Sequence, residues 1–202
     1  MKPETKAAGD RGIDIVGKLL VAMPEIGDSR FRNAAIYMCS HSGEGAMGLV
    51  INKPAPDLSF AGLLDQLGII PASSDRQGGS APDIPIMLGG PVETGRGFIL
   101  HTKDVQLATS TISVSGDICL TGTTDMLRAM AEQRGPNHAL FALGYSGWGA
   151  GQLEDELATN SWLILDTPHD VLFETPPDQR YKRALAACGI DPMHLSGSAG
   201  RA

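Results

Sequence analysis

Four of the eight residues from Gly144 to Gly151 are glycine. That density is needed only where a backbone turns with positive φ or passes close to another chain segment. Ala139–Leu143 ahead of it is a short apolar run suited to a buried strand. Behind it, Gln152–Thr159 predicts a helix with Glu154, Asp155 and Glu156 in its first half, where carboxylates suit the positive end of the helix dipole. With Gly149 as N-cap, Trp148 is placed to staple onto Leu153. Ser161–Leu165 reads as the next strand. The unit is therefore strand, glycine turn, helix, strand, and the bulk of the chain has to fit around it.

The remaining pattern mixes hairpins with helices. Ile15–Met23 reads as a first strand, stopped by Pro24. Asn33–His41 and Ala46–Asn52 form the clearest hairpin, joined by Ser42-Gly43-Glu44-Gly45. Pairing His41 with Ala46 puts Ile36, Met38, Met47, Leu49 and Ile51 on one face. Tyr37, Cys39, His41, Val50 and Asn52 then share the other, more polar face, with Gly48 opposite Cys39. Ser59 caps a helix carrying Phe60, Leu63, Leu64 and Leu67, with Gly68 at its end. Residues 71–83, rich in Pro, Gly and Ser, predict a mobile loop. Ile86–Leu88 and Gly97–Thr102 read as strands. Thr109–Leu120 supplies one or two more, broken at Ser115-Gly116. Thr123 or Thr124 begins a helix closed by Gly135-Pro136. Thr175 caps a last helix with Pro176 at N1 and an apolar stripe of Tyr181, Ala184, Leu185 and Cys188. The fold class is α+β, a largely antiparallel curved sheet with flanking helices. Residues 13–195 are expected as one domain, between a disordered arm at 1–12 and a frayed tail at 196–202.

Charge narrows the function. The chain has 202 residues and a formal net charge of −7, which disfavours a broad phosphate-binding surface and specific DNA binding. Its 3 cysteines are too few and too scattered for a disulfide framework or a zinc site. The histidines show no metal-ligand spacing, so neither metal nor other cofactor is expected. No apolar run is long enough to span a bilayer, and Asp14 and Lys18 interrupt the best candidate for an export signal, Ile13–Met23. A cytoplasmic location is the expectation.

Each motif with chemical potential has a plainer account. Gly43–Gly48 matches G-x-G-x-x-G, but a strand follows where the dinucleotide mechanism requires a helix start. Gly90–Gly97 has P-loop spacing, yet Arg96 stands for the phosphate lysine and Gly97 for the magnesium-binding hydroxyl. Gly144-Tyr145-Ser146-Gly147-Trp148 approaches a nucleophile elbow, with Trp148 in the place of its last glycine. The available bases are His169 and His194. Cys39 and His41 project from one strand about 7 Å apart, but no third group orients them. The chain therefore reads as a non-enzymatic regulatory or binding protein. The alternative is a small-molecule hydrolase or thiol enzyme using Cys39 and His41, or Ser146. The expected cleft is bounded by Cys39, His41, Asn52, Gly89, Gly90 and Trp148, and its partner is a small molecule or a protein.

Residues 20–24 (LVAMP), 34–54 (AAIYMCSHSGEGAMGLVINKP), 88–102 (LGGPVETGRGFILHT) and 142–163 (ALGYSGWGAGQLEDELATNSWL) resemble the YqgE/AlgH family of bacterial proteins, in the same order and from about Gly17 onward. Two departures stand out: 71–83 is longer than usual, and Arg201 stands where the family commonly shows His. The resemblance implies a bifurcated sheet folded into a flattened, barrel-like form. It implies no catalytic residue or cofactor. One branch carries a transcriptional-regulator label, through an association with alginate production.

Overall fold

The structure is a computed structural model, and it describes residues 14–69, 84–107, 110–191 and 195. The arm at 1–12, the loop at 71–83, His194 and the tail at 196–202 lie outside the described residues.

Among these, nine strands form one curled, half-barrel sheet flanked by five helices, an α+β fold. In chain order they are β1 (Leu19–Ala22), β2 (Ala35–Ser42), β3 (Gly45–Val50), α1 (Phe60–Gln66), β4 (Ile86–Leu88), β5 (Val92–Thr102), β6 (Thr111–Ser115), β7 (Ile118–Thr121), α2 (Thr124–Ala131), β8 (Ala139–Gly149), α3 (Gln152–Ala158), β9 (Trp162–Leu165), α4 (His169–Phe173) and α5 (Pro177–Ala187). The spatial order is β6-β7-β5-β8-β3-β2-β1-β9, with β4 against β8. Every ladder is antiparallel except β4 with β8.

The curl separates the apolar residues into distinct cores. The largest collects Leu19, Tyr37, Leu49, Met87, Leu100 and Leu140 with Leu172 of α4 and Leu185 of α5. A second holds Leu20, Ile36, Met38 and Val50 against Leu153 of α3 and Trp162. A third packs α1 and α2 on Ile86, Ile99 and Phe141. Strands buried on both faces explain the near-continuous apolar runs in β1 and the first half of β8.

Several expected elements shift. The first strand begins only at Leu19, because Gly17 sits at φ +80 in a turn closed by Lys18 N–H donating to Ile15 O. The hairpin turn is tighter than expected: Ser42 pairs with Gly45, and His41 does pair with Ala46. A β-bulge between Met38 and Ser40 then slips the register, so Met38, not Cys39, faces Gly48. One extra residue on one strand exchanges the faces beyond it. Tyr37 and Cys39 thus join Leu49 and Ile51 in the large core, while Ile36 and Met38 join Val50 in the second. No half of the hairpin is a polar face.

The glycine segment is also different. It continues β8 as strand to Gly149, because Ser146, Gly147, Trp148 and Gly149 pair with Gly48, Met47, Ala46 and Gly45. Gly151, not Gly149, is the N-cap of α3. The last helix begins one residue late, with Pro176 as N-cap, and its Cys188 is exposed rather than core. Ser59 caps α1 as expected, its Oγ accepting from Gly62 N–H at 3.1 Å.

Candidate functional site

The expected cleft residues do not converge. Cys39 is buried, its thiol donating to Tyr37 O at 3.7 Å, and burial pushes it up to about 12. His41 points instead toward α3, where Nε2 meets Glu154 Oε1 at 2.7 Å. That contact is the main reason the Glu154 carboxyl lies below its ordinary range. The bulge places the thiol and the imidazole in different surroundings, so they form no dyad.

Asn52 ties the open end of the hairpin. Its Oδ1 accepts from Ala35 N–H and its Nδ2 donates to Asn33 O, each at 2.8 Å. Gly89 and Gly90 cross directly over β8. Gly89 O accepts from Val50 N–H, Gly89 N–H donates to Leu143 O, and a Cβ on Gly90 would fall on the Tyr145 backbone. Ser146 is wholly buried, and its Oγ donates to Gly89 O at 3.3 Å. His169 lies on α4, where it pairs with Glu174, meets His138 edge-on and packs at a tilt against Phe173. Ser146 therefore has no histidine within bonding reach among the described residues. His101, also wholly buried, bonds Thr102 O and Thr121 Oγ1 at 2.8 Å, and burial lowers its pKa. It is a satisfied core histidine.

Trp148 is different. It stands where two hollows meet, and both are lined by Gly147, Trp148 and Val92. The first, about 580 Å³, opens at the mouth of the half-barrel. Its floor is apolar, with Met47, Phe98 and Leu120, and its rim carries Glu44, Glu93 and Arg96. Arg96 is engaged by Glu93 at 3.1 Å and lies over the Phe98 ring at 5.0 Å. The second hollow, about 460 Å³, lies between the 3-10 turn Ser29–Phe31 and the start of α3.

The wall of that second hollow is an ordered aromatic–carboxylate cluster. Trp148 and Trp162 both donate their indole N–H groups to Glu156 Oε2, at 2.9 and 2.6 Å. Gln152 Nε2 donates to Glu156 Oε1 at 2.9 Å, and Gln152 Oε1 accepts from Gly149 N–H at 3.1 Å. Residues 152 and 156 share a helix face by the i, i+4 rule, so α3 presents the acceptor and its brace together. Phe31 packs edge-on to Trp162, 5.5 Å between centroids. Arg30 grips Asp28, holding that carboxyl below its usual range. Sequence reasoning missed Glu156, Gln152 and Trp162. Their signal was the 152/156 spacing facing two tryptophans, which becomes visible only once Trp148 is placed on a strand.

A third hollow, about 440 Å³, lies by Met130, His138 and Phe173. Among the described residues no cysteine or serine lines it. Among the described residues no group of three or more His, Cys, Asp or Glu side chains is placed to hold a metal ion. No described helix is long and apolar enough to cross a membrane.

Comparison with known proteins matches this architecture. The AlgH-like family model fits residues 19–193. A UPF0301 protein of Bradyrhizobium diazoefficiens is 48% identical over 187 residues, covering 92% of this chain and 87% of that one. One from Cereibacter sphaeroides is 48% identical over 190 residues, covering 94% of this chain and 100% of the relative. The solution structure of the AlgH protein from Pseudomonas aeruginosa superimposes with a TM-score of 0.73 at 36% identity, covering 96% of this chain and 100% of that one. A crystal structure from Corynebacterium diphtheriae shares the fold at a TM-score of 0.64 and 18% identity, with 93% of each chain covered. With the family model spanning every strand and helix described, the chain belongs to the AlgH-like UPF0301 family.

Proposed function

We propose that this chain is a non-enzymatic binding protein of the cytoplasm, folded as one domain over residues 13–195, whose site is the paired hollow around Trp148. The observation that carries the reading is the shared wall. Hollows of about 580 and 460 Å³ meet at Val92, Gly147 and Trp148. These volumes fall in the range of small-molecule sites, and barrel mouths are a preferred place for them. The burial of Cys39 and Ser146, each bonded to a backbone carbonyl and to no base among the described residues, supports binding over nucleophilic catalysis. A regulatory role exercised through this site fits a chain of net charge −7 better than one exercised on duplex DNA.

The chain's 2 tryptophans, Trp148 and Trp162, both line the second hollow, so intrinsic fluorescence reports occupancy directly. The test is a fragment-library titration followed by tryptophan emission and by thermal melting. The reading expects saturable emission changes with a raised melting temperature, absent in Trp148→Leu. Ligands whose effects survive that substitution, or a library without a single saturable binder, would sink it. A gel-shift assay with random-sequence duplex at physiological salt is expected to show no sequence-selective complex, and a selective complex would move the regulatory reading onto DNA.

A further inference from the structure

Among the described residues the barrel mouth is bordered by a sheet edge with no strand beyond it. Among the described residues β6 makes ladder pairs with β7 and with no other strand. Thr111 donates its backbone N–H to Leu107 O, away from β7. Backbone groups two residues apart on a strand point the same way, so Ser113 turns its N–H and C=O toward the open edge. Natural sheets blunt such edges with charges, prolines or bulges. Thr111-Ile112-Ser113-Val114-Ser115 has neither charge nor proline, and its one irregularity lies after Ser113.

The side chains beside that edge are also uncovered. Val114 packs on the large core, yet Ile112 on the same strand is 65% exposed and lines the mouth. Around it the charges do not balance. Arg96 is already taken by Glu93 and Phe98, whereas Glu44 on the rim has no cationic partner among the described residues. In the adjoining hollow Glu156 accepts three hydrogen bonds from neutral donors and forms no ion pair among the described residues.

We propose that β6 is a docking edge for an extended segment of a partner protein, added as a further strand. The segment bonds the Ser113 backbone, places alternate apolar side chains in the mouth beside Ile112, and offers Lys or Arg to Glu44. This rests on the mouth being the binding site, and names its occupant. Main-chain pairing supplies attachment in such complexes, and the flanking pockets supply selectivity.

The test begins with selection of a phage-displayed random linear dodecapeptide library on the full chain. Enriched sequences are synthesised and titrated by fluorescence anisotropy. The expected winners alternate apolar and basic residues. Their affinity falls by about tenfold or more against Ile112→Lys and Ser113→Pro, and on N-methylation of alternate peptide amides. Glu44→Lys weakens them as well. Ile112→Lys changes an exposed side chain and is expected to melt like wild type, so its result stands even where Ser113→Pro folds poorly. Failure to enrich any peptide overturns the proposal, as does enrichment of peptides indifferent to the β6 changes. Sedimentation showing a dimer that Ile112→Lys dissociates overturns it too, in favour of a second copy on the same edge. Small molecules that shift Trp148 emission while no peptide enriches would refute the docking edge and leave the binding reading standing.

Discussion

The indoles of Trp148 and Trp162 meet edge to face, 5.8 Å between centroids at 79°, and both donate to one oxygen of Glu156. This joins the end of β8, the start of β9 and the helix between them through a single carboxylate. The strand–helix–strand connection is therefore held by a hydrogen-bonded hub as well as by Leu153 in the second core.

Loss of that hub has a calculable direction. Glu156→Leu leaves two indole N–H groups unpaired at rings only 7% and 5% exposed. An orphaned buried donor costs about 1–3 kcal/mol, so for two donors urea unfolding is expected to lose about 2–6 kcal/mol. Glu156→Gln keeps a neutral acceptor and is expected to lose less. Equal losses in the two variants would show that the acceptor is not what matters.

The glycines of β8 divide into those the backbone requires and those it does not. Gly144 sits at φ +68, and an added Cβ would stand 2.6 Å from Gly90 O. Gly149 shows no positive φ, and its nearest contact would be Gln152 Oε1 at 3.9 Å. Gly144→Val is expected to destabilise by at least about 1–3 kcal/mol, and Gly149→Ala by less than about 1 kcal/mol. Thermal melting of the two variants side by side decides it.

Much of the fold was legible because periodicity reports burial. The β2–β3 hairpin, the β6–β7 pair, the Ser59 cap and the Tyr181, Ala184 and Leu185 positions of the α5 stripe followed from spacing and turn chemistry, while Cys188 did not. What failed was register. A bulge at Cys39 adds one residue without leaving a compositional mark, and it reversed the inferred faces of Tyr37 and Met38. The Gly144–Gly151 segment failed for a related reason. Glycine permits a turn but equally permits the close passage of Gly89 and Gly90 over an unbroken strand, and only the partner segment distinguishes the two. The α4 helix, His169–Phe173, is too short to establish a periodicity. The candidate site was legible in Trp148 alone, since its partners come from α3, β9 and the turn before β2.

The buried thiol gives a pH dependence with a definite sign. Cys39 is held near 12 in the fold, against an ordinary value of 9.0. Above the unfolded value, the unfolded chain releases this proton while the fold retains it. Stability from this group is complete below about pH 9 and declines as pH rises toward 12. The slope is about 1.4 kcal/mol per pH unit at most. Cys39→Ala is expected to show a shallower alkaline loss in urea melts between pH 9 and 11, by about one proton's linkage. Under native conditions at neutral pH, exposed Cys188 is expected to react rapidly with a chromogenic disulfide while Cys39 and Cys119 do not. Rapid reaction of Cys39 at neutral pH would reopen the thiol-enzyme reading.

Arg180 offers the sharpest test of how α5 is attached. It is 3% exposed, and burial lowers its guanidinium to about 10, which still leaves it charged at neutral pH. Nε donates to Thr175 O at 2.9 Å and Nη1 to Ile51 O at 2.5 Å, while the neighbouring Tyr181 hydroxyl donates to Ala22 O at 2.9 Å. Two opposing terms therefore meet at one side chain. Burying an ion costs several kcal/mol, and removing it recovers that cost. Removing it also orphans two carbonyls, at about 1–3 kcal/mol each. The terms nearly offset, so Arg180→Met, which fills most of the volume, is expected to lose only about 1–2 kcal/mol. Arg180→Lys is expected to lose more, although it looks the more conservative change. Lysine keeps the charge to be buried but has no planar fork to bridge the two carbonyls. Urea titration of both variants ranks them, and a lysine variant more stable than the methionine one would mean that charge, rather than the fork, anchors the helix.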